Sequence, residues 1–551
     1  MKTVKKSVSL LVLSSLVFTA ACSSKTDGPD SGKDTKPVNL GKYEEPVTMN
    51  IGYVMNQDSK WPSGSNDSFT DNRYTRWFEE NLNIKFNYAF QIPGGGYDQK
   101  VNLLISGNDI PDFMRVNEAQ FKLLAESDML EDLTNVYESY ASPLLKEVIG
   151  GFGNQLTNRV SSNGKLLGIP STIPAHDSDP VVWIRKDWLD KVGINLPLGI
   201  TIDDVEKVAK AFIEQDPDQN GVKDTYGIMS TSNFVTNSTG NNSLDAYFTS
   251  LRAYPKFWTK DKNGDIVYGS TTSETKQALG KLREWYAAGL IDKEFGTIKP
   301  DQFAKGNSAG KAGISTGATW SPMSALADSV KNDPKAEWKA HMILSQDGNY
   351  YPRQPDPLGT IYVVKKGAKH PEALLKMINV AAEIDNNRPN SPQLYADSPG
   401  TNWNVRPMQA TYRLKTTLKD RFQRFQDTAA GKLKKADLPP ADVSIFDNYS
   451  KGWDAIKSVP QDWAYTAYQF LGGQIVLDPR NKEVYSQFYG STKTMELKWA
   501  NLTKLENEAF VQIITGNKPL EYFDTFVSEW NKQGGDEITQ EVRKAAKGSG
   551  T

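Results

Sequence analysis

Asp216-Pro-Asp218-Gln-Asn220-Gly221-Val222-Lys223-Asp224 places side-chain oxygens at the first, third, fifth and ninth positions of a loop. Hard oxygens at that spacing converge on a cation such as Ca²⁺, the glycine at the sixth position makes the sharp turn, and Val222 can offer its backbone carbonyl. Gly227 stands where the bidentate glutamate of a full EF-hand loop would be, so a further ligand has to come from elsewhere or from water. The expectation is a structural Ca²⁺ site, set against an Asx-rich turn that merely ends a helix. Asp261-Lys-Asn263-Gly-Asp265 looks similar but lacks the glycine register, and it reads as a hairpin turn.

A second chemistry is carried by rings. The chain holds 13 Trp, 23 Tyr and 22 Phe. The apolar C–H face of a pyranose stacks on Trp or Tyr, while Asp, Asn, Gln and Arg take its hydroxyls. Candidates for such a platform are Asp58 and Trp61 after the first predicted strand, Trp183, Trp320 in Thr316-Gly-Ala-Thr-Trp320, and Trp403 with Asn402, Asn404 and Arg406 in a polar loop. Trp188, Trp285, Trp453, Trp463, Trp499 and Trp530 fall at helical spacing among apolar residues and read as core. Catalysis finds little support. His176, His341 and His370 are the only histidines, there is no HExxH, and no Gly-x-Ser-x-Gly elbow or phosphate loop stands in a convincing context. His370 reads as surface, and His176 lies in an expected interlobe loop, Thr172 to Asp179, where a polar role is open. A carboxylate pair for glycoside hydrolysis is a spatial feature, so a calcium-stabilised surface hydrolase or lyase remains an alternative.

Cys22 is the single thiol of 551 residues. Lys2, Lys5 and Lys6 form a basic segment and Val8 to Phe18 an apolar one too short to span a bilayer, which together read as a signal peptide over 1–22. Thr19-Ala20-Ala21-Cys22 resembles a bacterial lipoprotein box, with Thr19 in place of the usual leucine. The resemblance implies diacylglycerol on the Cys22 thiol and a further acyl chain (palmitate). It places the mature chain on the extracellular face of the cytoplasmic membrane of a Gram-positive bacterium. Residues 23–44, rich in Ser, Gly, Asp, Lys and Pro, have too few apolar groups to offset ordering entropy and read as a tether reaching on the order of 25 Å. Beyond it, 38% hydrophobic residues and a net charge of -2 describe a globular body. Nucleic acid is not the partner, because no basic face is present to meet phosphates.

The elements that must position these groups follow a strand-helix alternation: strand Val47 to Val54, helix Asn72 to Leu82, strand Ile84 to Phe90, helix Tyr97 to Ile105, then Asp109-Ile-Pro-Asp112 leading into Phe113-Met114. That is the order of a doubly wound α/β lobe, which takes ligands beyond the carboxyl ends of its strands. About 500 residues exceed one core, so two lobes are expected.

Leu103-Leu-Ile-Ser-Gly-Asn-Asp-Ile-Pro-Asp112, Asn163-Gly-Lys-Leu-Leu-Gly-Ile-Pro170, Trp183-Ile-Arg-Lys-Asp-Trp-Leu-Asp-Lys-Val-Gly193, Gly310 to Trp320, Lys369 to Leu374, Phe510 to Gly516 and Phe523 to Gly535 resemble, in order and spacing, the extracellular solute-binding proteins of carbohydrate ABC transporters. The match is to the large lipoprotein branch found in Bacillus and Paenibacillus relatives. The resemblance implies a two-lobe periplasmic-binding-protein-like α/β fold (class II) with a helical C-terminal extension. It implies discontinuous lobes, 45–169 with 318–387 and 172–316 with 388–551. It also implies an oligosaccharide bound between them, a membrane permease as partner, no enzymatic activity and a monomer. Related alginate- and oligosaccharide-binding proteins carry a similar truncated loop at Asp216 to Asp224. A peptide-binding lipoprotein of like architecture is the other alternative.

Overall fold

The computed structural model describes residues 41–55, 66–231, 233–236, 240, 242–296, 310–388, 391–392, 394 and 405–548. Among them, ten strands build two five-stranded sheets. The first contains β1 (Val47–Met55), β2 (Ile84–Pro93), β3 (Phe113–Val116), β4 (Gly168–Thr172) and, much later, β10 (Leu358–Val364), in the order β2-β1-β3-β10-β4. The second contains β5 (Pro180–Arg185), β6 (Gly199–Ile200), β7 (Tyr226–Ile228), β8 (Ala312–Ala318) and β9 (Trp338–Ile343), in the order β6-β9-β5-β8-β7. β10 runs antiparallel to β3 and β4, and β5 runs antiparallel to β8 and β9. Their parallel neighbours therefore point their carboxyl ends at the same edge in each sheet. The expected alternation of strand and helix up to Phe113 holds.

Local chemistry explains the elements. Asn72 caps the helix Arg73–Leu82, its Oδ1 accepting from Tyr74 N and Thr75 N while Thr75 Oγ1 accepts from Asn72 N, and Asn83 closes it at φ 58°. This satisfies orphan amides at one end and lets the chain reverse at the other. Gly313 in β8 is required by packing. A Cβ there would sit 2.4 Å from Trp188 and 2.5 Å from Phe212, on the helix Ile202–Glu214 laid across the sheet. Helices cover both faces of both sheets, which is why strand β5 is buried at every position.

Where the chain changes lobe differs from expectation. The first crossing was expected between 169 and 172, yet Gly168–Thr172 stays in the first sheet as β4, and the chain reaches β5 through 173–179. The return was expected at 316–318, yet β9 pairs with β5 through Trp338↔Arg185 to His341↔Val182, so the chain stays in the second sheet until 343 and returns to β10 only through 344–357. The run Trp338-Lys-Ala-His-Met-Ile343 alternates apolar and polar residues over only five positions, which marks a strand but does not say in which sheet it pairs. Residues 405–412, expected in the second lobe, pack on the first. Val405, Met408, Ala410 and Tyr412 join the core under the helix Glu372–Asp385, Asn72 Nδ2 donates to Val405 O at 3.1 Å and Gln409 Nε2 to Val54 O. The third crossing therefore falls at 413–416, ahead of the helix Thr417–Ala429.

Candidate functional site

Three chain crossings and one returning segment make the wall between the lobes. Thr172 is bonded to both sides of the third crossing, its N donating to Thr411 O and its Oγ1 to Arg413 O, while Arg413 N donates to Thr172 Oγ1. The segment 478–491 runs beside the second crossing, with bridges Tyr350↔Asn481 and Arg353↔Val484. At the centre stands His176, at φ 64° and 3% exposed. Its Nδ1 lies 2.8 Å from Asp179 Oδ2 and its Nε2 2.9 Å from Glu483 Oε1. Its backbone N donates to Gln354 Oε1 at 2.7 Å, and Gln354 Nε2 donates to Asp179 Oδ1 at 2.8 Å. Burial disfavours the imidazolium, but the two carboxylates outweigh burial and raise the ring to about 9. The His176 bond holds Glu483 down to about 2 against the effect of burial. A charged ring thus ties the first crossing to the returning segment.

Beside this clamp opens a cavity of about 340 Å³ whose lining includes Arg115 from β3, Asp177 from the first crossing, Thr360 from β10, and Gln409 and Arg413 from the third crossing. It sits at the carboxyl edge of the first sheet, where an α/β lobe receives ligand. Burial raises the Asp177 carboxyl, Arg413 lowers it, and Asp179 adds to the rise. Tyr468, in the π-turn Tyr468–Gly472, senses both Asp177 and Arg413. The neighbouring Gln469 is 1% exposed with neither amide atom hydrogen-bonded. A larger hollow of about 580 Å³, between the hairpin 258–268 and residues 484–487, takes no residue from the first lobe.

Trp320 is half-buried at the end of β8, packed with Phe422, Tyr468 and Val476. Its Nε1 points to Ser178 Oγ at 3.4 Å, a weak bond. The Nε1 edge of the ring thus borders the first crossing at Ser178, the residue after Asp177. Trp183 is not at a cleft. It is 0% exposed in the central strand of a sheet covered on both faces, and its Nε1 donates to Ala318 O at 3.2 Å. Arg406 is also displaced from the expected role. It is 3% exposed inside the first lobe, with Nη2 2.8 Å from Asp385 Oδ1, while Asp385 Oδ2 accepts from Tyr412 N. It staples 405–412 to the helix Glu372–Asp385. Asp58, Trp61, Trp403 and Cys22 lie outside the described residues. Arg115, Asp177, Arg413, Tyr468 and Gln469 were not foreseen. The dense charge of His176-Asp-Ser-Asp179 between two strands was the available signal for Asp177.

The loop Asp216 to Asp224 follows the helix Ile202–Glu214. Gly221, at φ 80°, donates its N to Asp216 Oδ2 at 3.0 Å, and Val222 N donates to Asn220 Oδ1 at 2.7 Å. Asp216 Oδ1 and Asp218 Oδ1 are buried and receive no hydrogen bond, and the Asp218 carboxyl is raised by burial and then by Asp216. Two under-satisfied carboxylates side by side fit a cation. Asp224 instead meets Lys311 Nζ at 2.8 Å, and among the described residues no three acidic, imidazole or thiol groups converge as a metal cluster. Asp261 closes the hairpin turn as read, its Oδ1 accepting from Asn263 N and Asp265 N.

Residues 62–388 match the family model described as bacterial extracellular solute-binding protein. Lipoprotein LipO of Bacillus subtilis is 23% identical over 461 residues, 82% of this chain and 84% of that one. The polygalacturonan/rhamnogalacturonan-binding protein YtcQ of the same organism is 24% identical over 469 residues, 83% of this chain and 84% of that one. Among solved structures, the ABC-transporter substrate-binding protein FusA of S. pneumoniae, an EF-hand mutant in complex with fructo-nystose, superposes with a TM-score of 0.59 at 15% identity, covering 91% of this chain and 99% of that one.

Proposed function

Because the chain belongs to the bacterial extracellular solute-binding proteins, which bind solutes and are not enzymes, we propose that it captures an oligosaccharide between its lobes and hands it to an ABC permease. The observation that carries this is the cavity at the crossings, which takes residues from β3, β10 and two crossings, with the half-buried Trp320 reaching the first crossing at Ser178. The hydrolase and peptide-binding alternatives lose ground, since relatives of similar length and fold are named for binding sugars. We place the lobes at 41–172 with 358–412 and at 180–343 with 417–548. Ligand touching both would favour closure, and the closed form would be the one the permease recognises.

Two finer features belong to the same proposal. Cys22 would carry the lipid that holds a monomeric body at the outer face of the membrane, which a relative named as a lipoprotein supports. The loop Asp216 to Asp224 would hold Ca²⁺ for stability, supported by its two bare carboxylate oxygens and by a related structure described by its EF-hand. Asp216, Asp218, Asn220 and Asp224 with the Val222 carbonyl would be the donors.

Thermal melts of the purified protein against a panel of neutral and acidic oligosaccharides test the core reading. A true ligand at 100 times its dissociation constant stabilises by about 2.7 kcal/mol. A panel in which peptides raise the melting temperature and no oligosaccharide does would refute it.

A further inference from the structure

Among the described residues, the arginines that are half-buried or deeper are mostly neutralised by carboxylates, and Arg283 and Arg543 donate to backbone carbonyl oxygens. Arg159 forks between Glu118 and Asp356, Arg185 meets Asp187 and Asp333, Arg353 meets Asp245, Arg406 meets Asp385, and Arg421 meets Asp442. A desolvated guanidinium without an anion is costly, so this pattern is what folding alone selects.

Arg115 and Arg413 depart from it. Both are half-buried and both line the cavity at the crossings. Among the described residues neither guanidinium makes an ion pair or a hydrogen bond. Arg115 lies over the Tyr97 ring at 5.1 Å, which leaves the outer part of its fork free, and Arg413 engages Thr172 through its backbone alone. Asp177 shares the cavity with them, yet it forms no ion pair with either, and its carboxyl is raised by burial. Two cations therefore face a space whose one fixed acid only partly balances them.

We infer that the oligosaccharide bound in the cavity at the crossings is acidic, a uronate chain whose carboxylates are received by the guanidinium forks of Arg115 and Arg413. This rests on the oligosaccharide reading above and narrows it. A planar guanidinium fits a carboxylate through two parallel N–H donors, a match that a neutral hydroxymethyl group cannot offer. Because Arg115 belongs to the first sheet and Arg413 to the crossing that leads into the second lobe, one charged chain would bridge rigid wall and hinge.

The test uses calorimetry on the full mature body with oligogalacturonides, oligomannuronates, the same oligosaccharides after carboxyl reduction, and neutral fructo- and gluco-oligosaccharides. A uronate should bind at least roughly tenfold tighter than its reduced counterpart, the scale of one charge-assisted hydrogen bond, and the advantage should shrink with added salt. Arg413→Gln and Arg115→Gln should each lose that advantage while leaving the weaker binding of the reduced chain in place. Arg413→Lys and Arg115→Lys, which keep the charge but lose the fork, should fall between. Melts of each variant show that it is folded. Neutral chains binding as tightly as uronates, or variants that lose both kinds of chain in parallel, would overturn the acidic assignment and leave the oligosaccharide reading standing. Binding of no oligosaccharide by a folded protein would overturn both.

Discussion

At the scale of single residues, one surface carries two kinds of tryptophan that sequence does not separate. Trp183 lies within a strand and Trp320 just beyond the end of one. The central place of β5 in its sheet, which is set by distant pairings, buries the first, while the second stays half-buried past the strand end. Trp320→Ala should weaken oligosaccharide binding by about 1 to 3 kcal/mol, the range of aromatic stacking and burial, and should lower the melting temperature of the free protein less than Trp183→Ala does. Calorimetry beside a melt decides; retained affinity with a badly destabilised free protein would make Trp320 a core residue. The loop aspartates are a contrasting case, since the turn they form rests on local spacing, with Asp216 Oδ2 accepting from Gly221 N. Asp216→Ala with Asp218→Ala should remove the cation and also the repulsion between the two carboxyls. The variant's melting temperature should then no longer respond to chelator, while affinity for sugar changes little. An undiminished chelator response would place the metal elsewhere.

At the scale of elements, β1, β2 and the helix Arg73–Leu82 were legible because period-two burial and an Asn cap are written into neighbouring residues. The return crossing was not, since β9 takes its place in the second sheet by pairing with a segment about 150 residues upstream and its short alternation does not say which sheet it joins. Gly313 shows the same dependence on distant partners. Gly313→Ala should destabilise by about 1 to 3 kcal/mol through overpacking against Trp188 and Phe212, read as a shift in denaturation midpoint. The hinge gives a prediction about pH. His176 is raised from its ordinary 6.5 to about 9 in the folded protein, so the clamp's contribution is complete below about 6.5 and is lost as pH rises through about 9. Glu483, lowered from 4.5 to about 2, contributes above about 4.5 and loses its contribution as pH falls toward 2. Melts from pH 6 to 10 should show a decline that is absent in His176→Asn. A variant that keeps the same alkaline slope would assign that slope to other groups.

At the scale of the whole molecule, the lobes are joined by three crossings and one returning segment. Among the described residues, further cross-lobe contacts include Lys122 Nζ to Ser491 O at 2.8 Å and to Glu496 Oε1 at 3.2 Å, and Thr417 Oγ1 to Asn386 Oδ1 at 2.8 Å beside the third crossing. Exposed pairs such as Lys122 with Glu496 contribute about 0 to 1 kcal/mol, too little to fix the lobes against a ligand that touches both, so occupancy can govern closure. A closing receptor is useful to a permease only if it stays near the membrane, which is the role proposed for lipid on Cys22. The segment after Cys22 is hydrophilic apart from Val38 and Leu40, too little apolar surface to hold it on a bilayer. Acyl chains contribute about 0.8 kcal/mol per buried methylene, and two or more of them hold firmly where one does not. Retention should therefore depend on the thiol. Cys22→Ser, expressed in a Gram-positive host and followed by fractionation, should appear in the medium or as an unprocessed precursor. If instead it is processed and still sediments with membranes, the anchor is held by something other than lipid on Cys22.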